Sequence, residues 1–109
     1  MQPELIEHEV KQAMSYLLLN ENPIENAVRF YQHFVFTHPF YDANGRIARL
    51  ISNLYLANND LTIHWHNVDV KKSFLSKLNW YHKSKSEEAL KLLIKQVKES
   101  VSSIKSIED

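Results

Sequence analysis

Thr37-His38-Pro39-Phe40-Tyr41-Asp42-Ala43-Asn44-Gly45-Arg46-Ile47-Ala48-Arg49 holds the features around which the rest of the chain is arranged. Gly45 is the only glycine among 109 residues, and Arg46 and Arg49 are two of the three arginines. A glycine used once marks a place where no side chain is tolerated, either through a positive φ or through backbone pressed against a ligand. Pro39 opposes helix at His38, because the residue before a proline is driven towards extended geometry. Beyond Gly45 the apolar residues Ile47, Leu50, Ile51 and Leu54 take the spacing of one helical face. The stretch therefore reads as a loop opening into a helix, with Asn44 or its neighbour as the N-cap.

A helix start presents unpaired backbone N–H groups and the positive end of the dipole, both of which suit an anion. Arg46 and Arg49 lie one turn apart on the same face, at the end where the dipole disfavours cations. A strongly anionic ligand removes that conflict. Asp42 is a hard oxygen donor of the kind that holds Mg²⁺ against phosphate oxygens. His38 can exchange a proton near neutral pH. Taken one at a time these residues are ordinary: a loop histidine, a turn aspartate, and two surface arginines whose ion pairs are worth little. Together, within twelve residues, they describe phosphoryl or nucleotidyl chemistry.

His38-Pro39-Phe40-Tyr41-Asp42-Ala43-Asn44-Gly45-Arg46-Ile47-Ala48-Arg49 resembles the signature of the Fic (filamentation induced by cAMP) family, HPFx(D/E)(G/A)NGRxxR, and matches it at every specified position. Weaker similarity extends through Ala27-Val28-Arg29-Phe30-Tyr31 upstream and Leu61-Thr62-Ile63-His64-Trp65 downstream. The resemblance implies an all-α fold over one domain, residues 1–109, and transfer of AMP from ATP to a protein hydroxyl. It implies His38 as catalytic base and Asp42 as the Mg²⁺ ligand. Asn44, Gly45 and Arg46 would cradle the phosphates, and Arg49 would hold the γ-phosphate or pair with an inhibitory glutamate. Phe40 would anchor the loop in the core. The implied partners are ATP, a target protein offering a serine, threonine or tyrosine hydroxyl, and an inhibitory protein or antitoxin, in the setting of a bacterial toxin or a signalling enzyme.

Two other functions stand beside this one. A toxin branch of the family reverses the nucleotide and transfers phosphate, but its signature has lysine where this chain has Gly45. A degenerate helical interaction module is the other, and it would have no need of an intact His38 and Asp42. Relatives also carry a β-hairpin flap before the first helix, which aligns the target by strand addition. With a helix beginning near Pro3, that flap is expected to be absent. Ser84 to Glu88 approaches the family's inhibitory pattern [S/T]xxxE[G/N], but Ala89 breaks it, so the segment reads as a helix cap.

Outward from the signature, helical spacing recurs. Ile6, Val10, Ala13, Met14, Leu17 and Leu18 form one apolar series, closed by Asn20-Glu21-Asn22-Pro23. Ile24, Ala27, Val28, Tyr31, Phe34 and Val35 form a second. The signature helix runs to about Ala57, where Asn58-Asn59-Asp60 stops it. Asn53 falls on the Arg46–Arg49 face, as a nucleotide contact or a solvated position. Leu61–Trp65 reads as an extended connection. Asn67 is expected to cap a helix carrying Val70, Phe74, Leu75, Leu78 and Tyr81. Ser84-Lys85-Ser86-Glu87 has the form of a capping box, ahead of a final helix through Leu90, Leu93, Ile94, Val97, Val101 and Ile104. The expectation is a compact bundle of five or six helices without a sheet.

Composition supports one soluble-type domain: 44% hydrophobic and 24% charged residues are ordinary values. Basic and acidic residues balance at 13 each, which removes the usual electrostatic footprint of nucleic-acid or anionic-membrane binding. The absence of cysteine excludes disulfides and thiolate metal sites and fits a cytoplasmic setting. No apolar run approaches a membrane span. His64-Trp65-His66 invites a metal reading with His33 or His82, but spacing fixes no further ligand. Lys91, Lys95, Lys98 and Lys105 form a solvated helix face.

Overall fold

In the computed structural model, residues 3–19, 22–37, 44–68 and 72–103 are described. Among them the chain forms helix α1 (Pro3–Ser15), α2 (Pro23–Thr37), α3 (Asn44–Ala57), α4 (Ser73–Ser84) and α5 (Glu87–Lys98). Two short strands, β1 (Leu61–Ile63) and β2 (Val101–Ser103), complete the described elements. The fold is an all-α single domain to which the strands add a small ribbon.

Helix α2 is the centre, packing against α1, α3, α4 and α5. Ala27, Val28, Phe30, Tyr31 and Phe34 are buried along it. They meet Ala13 of α1, Ala48 and Leu56 of α3, Phe74 and Leu78 of α4, and Leu90, Leu93 and Val97 of α5 in one continuous core. Asn22 starts α2 rather than ending α1. Its Oδ1 accepts from the Ile24 N–H at 2.9 Å, and Pro23 follows as the first helical residue. Asn26, fully buried, donates from Nδ2 to the Leu19 carbonyl and to the Tyr55 hydroxyl, each at 3.1 Å. That one amide ties the α1–α2 connection to the far end of α3.

Several expectations are corrected. The α1 periodicity stops at Ser15 and gives way to a 3₁₀ turn, Tyr16–Leu18, with Leu18 85% exposed. On α3 the face read from the apolar spacing is split: Ile47 and Ile51 pack against the core, while Leu50 and Leu54 are 60% and 61% exposed. Ala48, Ser52 and Leu56, outside that series, are fully buried. Ser52 enters the core because its hydroxyl donates to the Ala48 carbonyl at 2.7 Å, which removes the penalty of an unpaired polar group.

Asn67 closes a 3₁₀ turn (Trp65–Asn67), while α4 begins at Ser73 after Lys72. Val70 lies outside the described residues. The cap of α5 is Ser86, whose hydroxyl accepts from the Ala89 N–H at 3.4 Å. Ser84 instead ends α4, and Lys85 takes a left-handed φ of 54°. Helix α5 stops at Lys98, and Val101 lies in β2, paired antiparallel with Ile63 of β1. Ile104 and Lys105 lie outside the described residues.

Candidate functional site

Helices α2 and α3 pack along each other, with α2 ending at Thr37 and α3 starting at Asn44. His38, Phe40 and Asp42 fall between the two in sequence, outside the described residues. Asn44 is the first residue of α3, so the cap position before it lies outside as well. Gly45, Arg46 and Arg49 are placed.

Gly45 has a helical backbone and no positive φ. Its lack of a side chain serves a close approach, but by a residue of the chain itself. A Cβ built there would stand 2.9 Å from Arg49 Nη1, 3.7 Å from Arg49 Cζ and 3.8 Å from the Tyr31 hydroxyl. Side chains on a helix lean towards its N-terminus, so Arg49 reaches back one turn and lays its guanidinium over Gly45. There Nη1 donates to the Tyr31 hydroxyl at 3.3 Å. The two arginines therefore differ: Arg46 is exposed, whereas Arg49 is half-buried and held.

Tyr31 is 4% exposed. Its ring stacks on Trp65 at 5.0 Å between centroids with 24° between planes, and it meets the edge of Phe74 at 5.5 Å. Burial pushes the phenol pKa up, and the hydrogen bond and charge of Arg49 oppose this only in part. Tyr31 is thus a neutral partner. Among the described residues the ion pairs are Lys11–Glu7, Arg29–Glu25 and His33–Glu9. Neither Arg46 nor Arg49 belongs to one, and the first turn of α3 carries no acidic residue. The positive helix end and two guanidinium groups thus coincide without an acidic partner among the described residues, and one of the groups is half withdrawn from water. This arrangement favours an anion.

Asn53 serves neither of the purposes considered for it. Its Oδ1 accepts from the Ile63 N–H at 2.8 Å, and its Nδ2 donates to the Ile63 carbonyl at 3.2 Å, fastening β1 to α3. His64 shares a 2.7 Å hydrogen bond with the Ser102 hydroxyl. His33 pairs with Glu9 at 2.9 Å, and His82 contacts Gln32 while stacking on Phe36 at 4.0 Å. Among the described residues no group of three histidines or carboxylates is arranged to hold a metal ion. Lys91, Lys95 and Lys98 are exposed, as a solvated face requires.

A family model, Fic/DOC, matches residues 1–56, just over half of the 109-residue chain. The chain belongs to the Fic/DOC family. No solved structure matches it. The match covers α1, α2, the signature and α3 to within one residue of its end. The downstream segment Leu61–Trp65 lies outside it. In this Fic/DOC chain the support for Tyr31 therefore comes from Trp65 and Phe74, both beyond the matched residues. Sequence reasoning placed Tyr31 on the apolar face of α2 and in the weaker upstream similarity, with no role in the site. The available signal was its hydroxyl, since a tyrosine buried on such a face requires a polar partner. No helix among the described residues is long and apolar enough to cross a membrane.

Proposed function

We propose that this Fic/DOC chain is a protein adenylyltransferase, moving AMP from ATP to a serine, threonine or tyrosine hydroxyl of a target protein. The observation that carries this is the charge at the start of α3. Arg46 and Arg49 lack an acidic partner among the described residues and directly follow a sequence that contains His38 and Asp42. The phosphates of ATP lie against the N–H groups at Asn44 and Gly45, with Arg46 and Arg49 supplying charge-assisted contacts.

The donor set fits a hard cation. Asp42 would hold Mg²⁺, a hard cation that takes carboxylate oxygen. Bound there, it would neutralise phosphate charge. His38 takes the proton from the acceptor hydroxyl, whose oxygen attacks the α-phosphorus while the bond to pyrophosphate breaks. The base contributes about 10²–10⁴-fold, and positioning with charge stabilisation supplies the rest. An inhibitory protein or antitoxin would act by placing a carboxylate on Arg49.

The test uses Mg-ATP labelled on the α-phosphate in one arm and on the γ-phosphate in the other, in a lysate of the source organism. The α-label should become covalently attached to a protein, and His38→Ala should abolish this while still binding Mg-ATP. Transfer of the γ-label would assign the site to phosphate transfer. A chain that neither labels a protein nor binds Mg-ATP would refute both.

A further inference from the structure

Arginine is a flexible cation, and one that is to meet a phosphate gains when its fork is oriented beforehand. Arg49 is oriented by Tyr31, 18 positions earlier on another helix, through a 3.3 Å hydrogen bond. Tyr31 is in turn immobilised by two rings from the second half of the chain. Trp65 stacks against it, Phe74 meets it edge-on, and Trp65 and Phe74 contact each other at 6.1 Å and 68°. Three mutually packed rings leave the phenol oxygen one place to be.

The chemistry of the brace matters as much as its rigidity. A carboxylate at this point would hold Arg49 as firmly but would cancel its charge. A neutral hydroxyl orients the guanidinium and leaves the full positive charge for a ligand. We infer that Tyr31, clamped by Trp65 and Phe74, is a positioning residue that aims the Arg49 guanidinium at the anion-binding end of α3. The residues beyond the family match thus help to build the site and do more than cover the core. This rests on the reading of that helix end as a nucleotide site, but it makes a claim about Arg49 that can be checked without nucleotide.

The chain contains three arginines, Arg29, Arg46 and Arg49, so phenylglyoxal modification can be followed at each by peptide mass spectrometry. In the parent, exposed Arg46 should react faster than Arg49. Tyr31→Phe keeps the ring and removes only the hydroxyl. It should raise the Arg49 rate several-fold towards that of Arg46 and leave Arg46 unchanged, with the melting profile confirming the fold. Trp65→Phe, which retains a ring, should behave like the parent, whereas Trp65→Ala should behave like Tyr31→Phe. An Arg49 rate unaffected by Tyr31→Phe overturns the proposal.

By calorimetry, Tyr31→Phe should weaken Mg-ATP binding about five- to tenfold, the loss expected for a displaced charge-assisted contact. In an Arg49→Ala background the same change should have no further effect. Additive losses would mean that Tyr31 acts through general stability, which would also overturn the proposal. A parent that binds no Mg-ATP would sink the nucleotide reading and leave the labelling result to decide the role of Tyr31.

Discussion

Gly45→Ala isolates the purpose of the chain's only glycine. The added methyl would sit 2.9 Å from Arg49 Nη1, against an ordinary contact of 3.4–4 Å, so the guanidinium must retreat by roughly half an ångström or more. The Arg49–Tyr31 hydrogen bond is already 3.3 Å long, and the retreat lengthens it further and weakens it. Its complete loss would cost about 1.5 kcal/mol, the lower end for a bond to a charged group. Replacing glycine by alanine inside a helix returns about 0.5–1 kcal/mol. The net destabilisation is therefore at most about 0.5–1 kcal/mol, a Tm lowered by no more than roughly 2–8 °C for a domain of this size. Binding should respond more strongly than stability, because the displaced group is the one that meets the ligand. A thermal melt and a Mg-ATP titration on the same sample give both numbers, with affinity expected to fall about tenfold. A variant that binds Mg-ATP like the parent would refute the idea that Gly45 is kept small for Arg49.

Asn53→Ala should cost about 2–3 kcal/mol in urea unfolding with an unchanged m-value, because it strands both backbone groups of Ile63. Leu50→Lys should change stability by no more than about 0.5 kcal/mol, while fully buried Leu56→Ala, on the same helix, should cost about 2–5 kcal/mol. Stability should also fall as pH rises beyond the ordinary tyrosine value of 10.0, since Tyr31 keeps its proton in the fold after the unfolded chain has released it. The unfolded state then binds fewer protons, so the Tyr31 contribution is intact below about pH 10 and is lost as pH climbs through the raised folded value. Melts between pH 8 and 11 should show a shallower alkaline decline in Tyr31→Phe than in the parent, and identical slopes would contradict this.

The parts of this molecule that were legible in sequence are those carried by residue identity at fixed positions. The signature named the family, and helical spacing located five helices. Spacing tells that a face is apolar but not which neighbour it meets, and α3 demonstrates the difference. Two of its three leucines, Leu50 and Leu54, look outward, while its small residues, Ala48 and Ser52, face the core beside Leu56. Small side chains let two helices approach, and a hydrophobicity count gives them little weight. The ribbon was hidden for another reason. Val101 lies four residues beyond Val97 and continues the helical period, yet Ser100, Ser102 and Ser103 are poor helix residues that compete for backbone hydrogen bonds. The Ser100 carbonyl accepts from the His64 N–H at 2.7 Å and starts the strand pairing instead.

The proposed site could be read from its motif residues and not from their supports, and the physical reason is sequence distance. His38, Asp42, Asn44, Gly45, Arg46 and Arg49 lie in one run, so a single motif carries them all. Tyr31, Trp65 and Phe74 come from three separate elements and meet only after α2, α3 and α4 have packed. The run and its supports do different work. The motif supplies charge and, in the proposed function, a base, but a guanidinium on its own samples many rotamers and binds phosphate with a correspondingly higher entropic cost. The ring cluster removes that freedom while the fold forms, before any ligand arrives. A Fic/DOC signature placed on a scaffold without the equivalent of Tyr31 and Trp65 should therefore keep its chemical groups and lose affinity.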